Sequence, residues 1–187
     1  MQQMKKLGFG MMRLPLLNEE DKKSIDKKTV CQMVDTFMER GFTYFDTAYM
    51  YHEYESERAM KDVLVTRKDR DSYTLASKLP VMQLKEKEDM ERIFNEQREK
   101  CGVEYFDYYL LHSLDAEHYK NVKRLDCFGF AMQKKAEGKV KHVGFSFHDS
   151  AEVLDQILTE HPEAEFVQLQ LNYLDWEDAK VQSRKCY

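Results

Sequence analysis

FTYFDTA, residues Phe42–Ala48, is a β-rich run that reaches Asp46 and then gives way to a loop and a helical pattern. The same arrangement returns at Lys78 in YTLASKL (Tyr73–Leu79), at His112 after the run Tyr105–Leu111, and at Ser146 in HVGFSF (His142–Phe147). Asp46, Lys78, His112 and Ser146 stand 32, 34 and 34 residues apart. A strand–helix unit that repeats at such a period stacks these positions around one end of a barrel. Catalytic groups collect at that end, whereas the opposite end serves stability. Asp46, with Tyr51 in the following loop, Lys78, His112 and Ser146 are therefore the first candidates for a site.

The rest of the chain supports the alternation. Lys6–Arg13 is a short apolar run with two glycines and reads as a first strand. Asp26 is a candidate N-cap for a helix whose inner face is Val30, Met33, Val34, Phe37 and Met38, closed by Gly41. Ala59, Met60, Val63 and Leu64 mark a second helix. Met90, Ile93, Phe94 and Cys101 mark a third, ending at Gly102. A less regular helix spans Val122–Ala136. Asp149 with Glu152 reads as a capping box ahead of Val153, Leu154, Ile157 and Leu158. The sixth strand is expected over Phe166–Leu174, followed by a polar tail.

Strands alternating with helices imply βαβ units and a parallel sheet. The near-constant period favours a (β/α)8 TIM-barrel type of α/β fold over a doubly wound sheet. No G-x-G-x-x-G follows a strand, so a Rossmann phosphate loop is unsupported. A full barrel has eight strands and helices and about 250 residues. This chain offers about six strands and five to six helices in 187 residues. It is expected to be one barrel domain over 1–187 with its C-terminal part missing, a fragment whose open sheet edges invite self-association.

Composition narrows the function classes. With 34% charged and 42% apolar residues the chain is globular, and its net charge of −5 is spread along the sequence. Nucleic-acid binding needs a clustered basic face, which is absent. No apolar run of about 18 residues exists, and MQQMKK does not lead into an apolar segment. A cytoplasmic location follows. Cys31, Cys101, Cys127 and Cys186 form no C-x-x-C pair, so neither a metal site nor a disulfide framework is indicated.

The chemistry comes from taking Asp46, Tyr51 and Lys78 together. A phenol has an ordinary pKa of about 10 and is a poor acid at neutral pH. A nearby ammonium favours the phenolate, and a carboxylate holds the ammonium in place. The tuned tyrosine then protonates an oxygen as negative charge builds on it. His112 is suited to orient the same oxygen. A carbonyl that gains a proton at oxygen must gain a hydride at carbon, and no side chain supplies one, so a nicotinamide cofactor is implied.

The D-T-A-x-x-Y segment Asp46–Tyr51, the S-K-L-P at Ser77–Pro80 and the L-L-H at Leu110–His112 resemble the aldo-keto reductase family. The order and spacing also match, and the likeness runs from Leu7 to about Trp176. The resemblance implies a (β/α)8 barrel and NADP(H)-dependent reduction of a small aldehyde or ketone, or oxidation of the alcohol. In it Tyr51 corresponds to the acid/base, Lys78 and Asp46 to its tuning pair, and His112 to the substrate-orienting histidine. Ser146 and Gln168 match positions that hold the nicotinamide carboxamide. Asn172 ends the sixth strand near the expected cofactor, where it serves cofactor binding or caps a turn.

The departures are specific. Phe147 stands where the family commonly has an asparagine after the strand-five serine, and His148 follows it, so one carboxamide contact is expected to be lost or made differently. GFSFHD resembles a bacterial branch whose members often carry a C-terminal iron–sulfur extension, for which this chain has no cysteine cluster. Glu57 resembles a family Ser-Glu pair, for which helix capping is the plainer job, and His52 either faces the pocket or solvent. The groups that stack on the nicotinamide and grip the phosphates lie beyond Tyr187 in the family. A noncatalytic or regulatory barrel subunit is the alternative function, and the intact set Asp46, Tyr51, Lys78 and His112 argues for the enzyme.

Overall fold

The structure, a computed structural model, describes residues 5–187. The opening residues 1–4, part of the polar N-terminus considered above, lie outside the described residues. Six strands form one sheet in chain order. They are β1 (Gly8–Gly10), β2 (Tyr44–Asp46), β3 (Thr74–Leu79), β4 (Phe106–Leu114), β5 (Val140–Phe147) and β6 (Phe166–Leu169). Between them run α1 (Lys27–Glu39), α2 (Ser56–Met60), α3 (Glu88–Cys101), α4 (Ala116–Leu125), α5 (Cys127–Ala136) and α6 (Ala151–Glu160), with a short α7 (Ser183–Cys186) after β6. This is the incomplete (β/α)8 alternation expected. The chain divides into two compact units, one running to Ser77 and including Ile93–Asp107, the other comprising Lys78–Arg92 and Tyr108–Tyr187.

In the first unit β1, β2 and β3 pair in parallel, with Gly10 opposite Asp46 and Asp46 opposite Ala76. Asp26 caps α1 through the Thr29 amide at 3.1 Å. Gly41 closes α1 at φ 78°, a left-handed conformation that suits glycine. The core is aromatic: Phe45, fully buried, lies 5.5 Å from Phe9, 5.2 Å from Phe37 and 6.2 Å from Tyr73 between ring centres. Arg70 and Asp107 pair at 2.6 Å, and the same carboxylate accepts the Leu75 amide at 2.9 Å. Met33, expected on the inner face of α1, is 41% exposed. With Leu7, Phe9, Phe37 and Phe42 it lines an apolar groove of about 380 Å³.

In the second unit β5 and β6 pair in parallel, with Ser146 opposite Gln168. Gly144 is required there, because a Cβ would stand 2.3 Å from the Phe166 carbonyl oxygen. Phe145 packs on Phe128, which stacks on His161 at 4.0 Å. Lys134 is 2% exposed and is held by Glu91 at 2.6 Å and Glu137 at 3.0 Å.

Several boundaries differ from the sequence reading: β1 and β2 are shorter, β5 begins earlier at Val140, β4 runs past Leu111 through His112 to Leu114, and three further differences have visible causes. The irregular helix is two helices, split at Asp126, which adopts φ 61° and caps α5 through the Gly129 amide. Ser150, rather than Asp149, caps α6 through the Val153 amide, because the Asp149 carboxylate is taken by the Ala116 amide at 2.7 Å. The sixth strand stops at Leu169 because Asn172 turns the chain. Leu158, expected to face inward, is 39% exposed.

Candidate active site

Asp46 ends β2 and is buried. Its carbonyl accepts the Met11 amide at 2.9 Å, and the Thr47 amide continues the ladder to the Ala76 carbonyl at 3.0 Å. The chain then leaves the sheet as the loop that carries Tyr51. Its two ends are joined by Thr47 and Ser56, whose hydroxyls are 2.8 Å apart. Ser56 in turn donates to the Met11 carbonyl at 3.3 Å, so Thr47 is the donor of the pair. Tyr51 is half-buried, its amide donates to the Ala48 carbonyl, and its carbonyl accepts the Ser56 amide at 3.2 Å.

The backbone after Tyr51 is unusual. His52, Glu53 and Tyr54 have φ values of 49°, 50° and 74° in succession, and none is glycine. Left-handed non-glycine residues cost roughly 1–3 kcal/mol each and persist where surrounding structure over-determines them. The His52 ring lies half-buried between two backbone groups. Its Nε2 accepts the Leu14 amide at 3.1 Å, and its Nδ1 lies 2.9 Å from the Lys22 carbonyl. Of the two readings offered above for His52, a pocket wall or a solvent-facing ring, neither describes it.

Glu57 does not cap α2, since no side-chain cap bond forms there. It is fully buried, and its Oε1 accepts the Ser77 hydroxyl at 2.6 Å and the Gln97 amide at 2.7 Å. Burial raises its carboxyl above the usual carboxylate range, against the lowering effect of those two hydrogen bonds. Glu57 thus braces α2 to the end of β3 and to α3, immediately before Lys78 in sequence.

In the second unit Lys78 is 1% exposed, His112 9% and Ser146 4%. His112 is held down to about 3, first by burial and then by the ammonium of Lys78, with His148 and His118 adding to it. Burial and the neighbouring ammonium thus favour the neutral imidazole, which serves as a hydrogen-bonding group near neutral pH. Ser113, next to it, adopts φ 56° and donates its amide to the Ser146 hydroxyl oxygen at 2.7 Å. That leaves the Ser146 proton available to a further acceptor. Gln168, exposed, sits opposite Ser146 in register. A hydroxyl donor beside a carboxamide that donates and accepts is the donor set a planar amide ligand needs.

Two residues on, His148 Nδ1 lies 3.1 Å from Gln170 Oε1. Asn172 is used locally: its Oδ1 accepts the Leu174 and Asp175 amides at 2.9 and 3.0 Å, and its amide donates to Asp175 at 2.6 Å. The structure thus brings Asp46 and Tyr51 onto one strand end and its loop. Lys78, His112, Ser146 and Gln168 gather in the other unit, and Asn172 is placed in a turn. Ser113 and Gln170 were not foreseen, and His148 was noted only as the residue after Phe147. For Gln170 the signal was its place two residues beyond Gln168 in the expected strand Phe166–Leu174, although the strand itself ends at Leu169. For Ser113 none was, because its role is a backbone angle.

Comparison with known proteins agrees with this architecture. The model of the aldo/keto reductase family matches residues 6–187, and the chain belongs to that family. A search among curated proteins found no match. Solved structures match at the level of the fold. An aldo/keto reductase from Brucella melitensis has 21% identity and a TM-score of 0.62 over 88% of this chain and 57% of its own. One from Klebsiella pneumoniae, in complex with NADPH, has 20% identity and a TM-score of 0.65, over 88% and 53%. One from Bacillus halodurans, in its holo form, has 20% identity and a TM-score of 0.63, over 91% and 56%. The chain spans little more than half the length of each. Among the described residues no helix is long and apolar enough to cross a membrane, and no group of three or more side chains is arranged to hold a metal ion.

Proposed function

We propose that this chain carries the catalytic residues of an NADP(H)-dependent oxidoreductase that reduces an aldehyde or ketone, or oxidises the corresponding alcohol. The observation that carries the reading is the second unit's grouping of buried Lys78, neutral His112 and the register pair Ser146–Gln168. A bound nicotinamide would supply the hydride. Ser146 and Gln168 would hold its carboxamide, the serine giving its proton and the glutamine bonding through its amide, with Asn172 shaping the turn beyond them.

His112 donates from a neutral ring to the carbonyl oxygen and thereby orients it. Tyr51 delivers the proton to that oxygen. Lys78 and Asp46 take the places of the pair that tunes this tyrosine in the family that the sequence resembles. The neutrality of His112 supports this division of labour: a ring that protonates only near pH 3 cannot be the acid at neutral pH. The substrate is a small carbonyl compound, and a cytoplasmic site of action belongs to the same reading.

The reading is tested by titrating the 187-residue chain with NADPH and following reduction of a panel of small aldehydes. Tyr51→Phe is expected to abolish turnover while leaving NADPH binding unchanged. Unaltered turnover in that variant would overturn the assignment of Tyr51.

A further inference from the structure

The left-handed run His52–Tyr54 begins at the residue after Tyr51, and such a run keeps its shape only if something holds it. One ring contact within the loop, the Lys100 ammonium of α3 and the loop after β1 do so. Tyr54 lies against Tyr49, with ring centres 5.3 Å apart at 77°, and the Lys100 ammonium stands over the Tyr49 ring at 4.3 Å. His52 reaches the loop after β1 through both ring nitrogens. That loop is otherwise closed on itself, by the Leu17 amide on the Ser24 carbonyl at 2.7 Å and the Asp26 amide on the Pro15 carbonyl at 2.9 Å. His52 is thus a two-ended side-chain link between the loop after β1 and the segment that bears Tyr51, beside the Ser56 bond to the Met11 carbonyl and the Lys23–Glu53 pair at 3.9 Å.

The chemistry of the link is specific. An amide N–H can only donate, so Nε2 accepts from Leu14 and carries no proton. A carbonyl can only accept, so Nδ1 is the protonated nitrogen and donates to Lys22. Both bonds require one neutral tautomer. A proton added at Nε2 would turn that acceptor into a donor facing another donor, and the Leu14 bond would be lost.

We propose that His52 is a positioning residue for Tyr51: in its neutral form it clamps the loop after β1 to the strained turn that follows Tyr51, and protonation releases the clamp. The proposal rests on the reading of Tyr51 as the acid/base. The charged side chains on the two elements that meet at His52 are Arg13, Glu19, Glu20, Asp21, Lys22, Lys23 and Asp26 on the loop, and Glu53 and Glu55 beyond the ring. Lys22 turns its ammonium to the Glu19 carbonyl at 3.1 Å, and Lys23 faces Glu53 at 3.9 Å. Asp21 accepts the Lys23 amide at 2.9 Å, and Glu55 faces Arg58 at 3.8 Å. The release is assigned to the ring's own proton uptake, since the nearest bonds to the ring are the two that its nitrogens make.

Amide hydrogen exchange on the 187-residue chain tests it, with the Leu14 amide as reporter. The Thr47 amide, bonded to Ala76 within the sheet, is the control. In the unaltered chain, protection of Leu14 relative to Thr47 is expected to fall about tenfold or more on acidification. His52→Ala should lack Leu14 protection before and after acidification with Thr47 intact. His52→Gln keeps an acceptor that cannot gain a proton, and should retain protection throughout. Leu14 protection that is indifferent to pH in the unaltered chain, or that survives His52→Ala, overturns the clamp.

The same proteins, assayed for carbonyl reduction, give the second readout. A misplaced Tyr51 lowers kcat with KM little changed, and His52→Gln should restore kcat together with a flatter acid limb. A change in KM alone overturns the positioning role. If no protein in the set turns over any carbonyl, the oxidoreductase reading fails, and the Leu14 pattern alone decides the clamp.

Discussion

The end of β2 and the end of β6 are held in opposite ways. Asp46 ends a strand whose preceding residue, Phe45, is fully buried among Phe9, Phe37 and Tyr73. The loop that follows is tied by Thr47, Ser56, His52 and, just beyond, Glu57. At the end of β6, Phe166, Val167 and Leu169 are only half-buried, Gln168 is exposed, and the chain is turned by Asn172 on the surface. The first region is specified by packing and buried polar bonds, and the second by register and exposed hydrogen bonds. A group that must move a proton needs the first kind of support, because small displacements are costly there. A group that only lines a ligand tolerates the second.

The comparison is broken most severely at Phe45. Phe45→Ala should destabilise the chain by about 3–5 kcal/mol, whereas Leu169→Ala, at a half-buried position, should cost about 1 kcal/mol or less. Urea unfolding of both variants reads the contrast, and equal losses would remove it.

His112 supplies the next largest effect. Its ring is held neutral in the folded chain down to about pH 3, while in the unfolded chain it protonates near the ordinary 6.5. The folded value is depressed, so the stability it contributes is complete above about pH 6.5 and is lost as pH falls towards 3. A shift of that size is worth up to about 5 kcal/mol, and roughly 3 kcal/mol once the ring's residual exposure is allowed for. His112→Gln should flatten the fall in urea midpoint between about pH 7 and about pH 4.

Glu57 sharpens the contrast within the braced region. Glu57→Ala removes the buried acceptor of the Ser77 hydroxyl proton and of one Gln97 amide proton, while Gln97 still donates to Ser77 Oγ at 2.9 Å, and should cost about 1–3 kcal/mol. Glu57→Gln keeps an acceptor for both and should stay within about 1 kcal/mol of the unaltered chain. The sign with pH is opposite to that of His112. A carboxyl raised by burial gives its stability at low pH and loses it as pH rises through the folded value, so Glu57→Gln should also reduce the loss of stability on the alkaline side.

The smallest effect belongs to the open end. Asn172→Ala removes the Asp175 contact and the turn bonds at the surface and should cost about 0.5–1 kcal/mol. A loss as large as that of Glu57→Ala would mean that the end of β6 is as firmly built as that of β2.

Much of this was legible in the sequence for a definite reason. The period from Asp46 to Ser146 is a one-dimensional signal: a parallel sheet with helical crossovers repeats along the chain. It therefore yields the strand order and the residues at each strand end. The N-cap at Asp26 and the closing glycine Gly41 are local too, and their chemistry is complete within a few residues. The split at Asp126, the early stop of β6 and the cap at Ser150 were not legible, since each depends on where a side chain from elsewhere already bonds. Asp149 looked like a cap until the Ala116 amide claimed its carboxylate.

The same division holds in the site. Sequence alone determined the family, the alternating fold and the candidates Asp46, Tyr51, Lys78, His112, Ser146 and Gln168, because residue type and spacing survive projection onto a line. Only the tertiary structure decided that His112 is neutral, that Glu57 is a buried brace, that Ser113 feeds the Ser146 hydroxyl and that His52 grips the loop after β1. Those are statements about burial, backbone angle and hydrogen-bond direction, which arise when segments distant in sequence share one low-dielectric space.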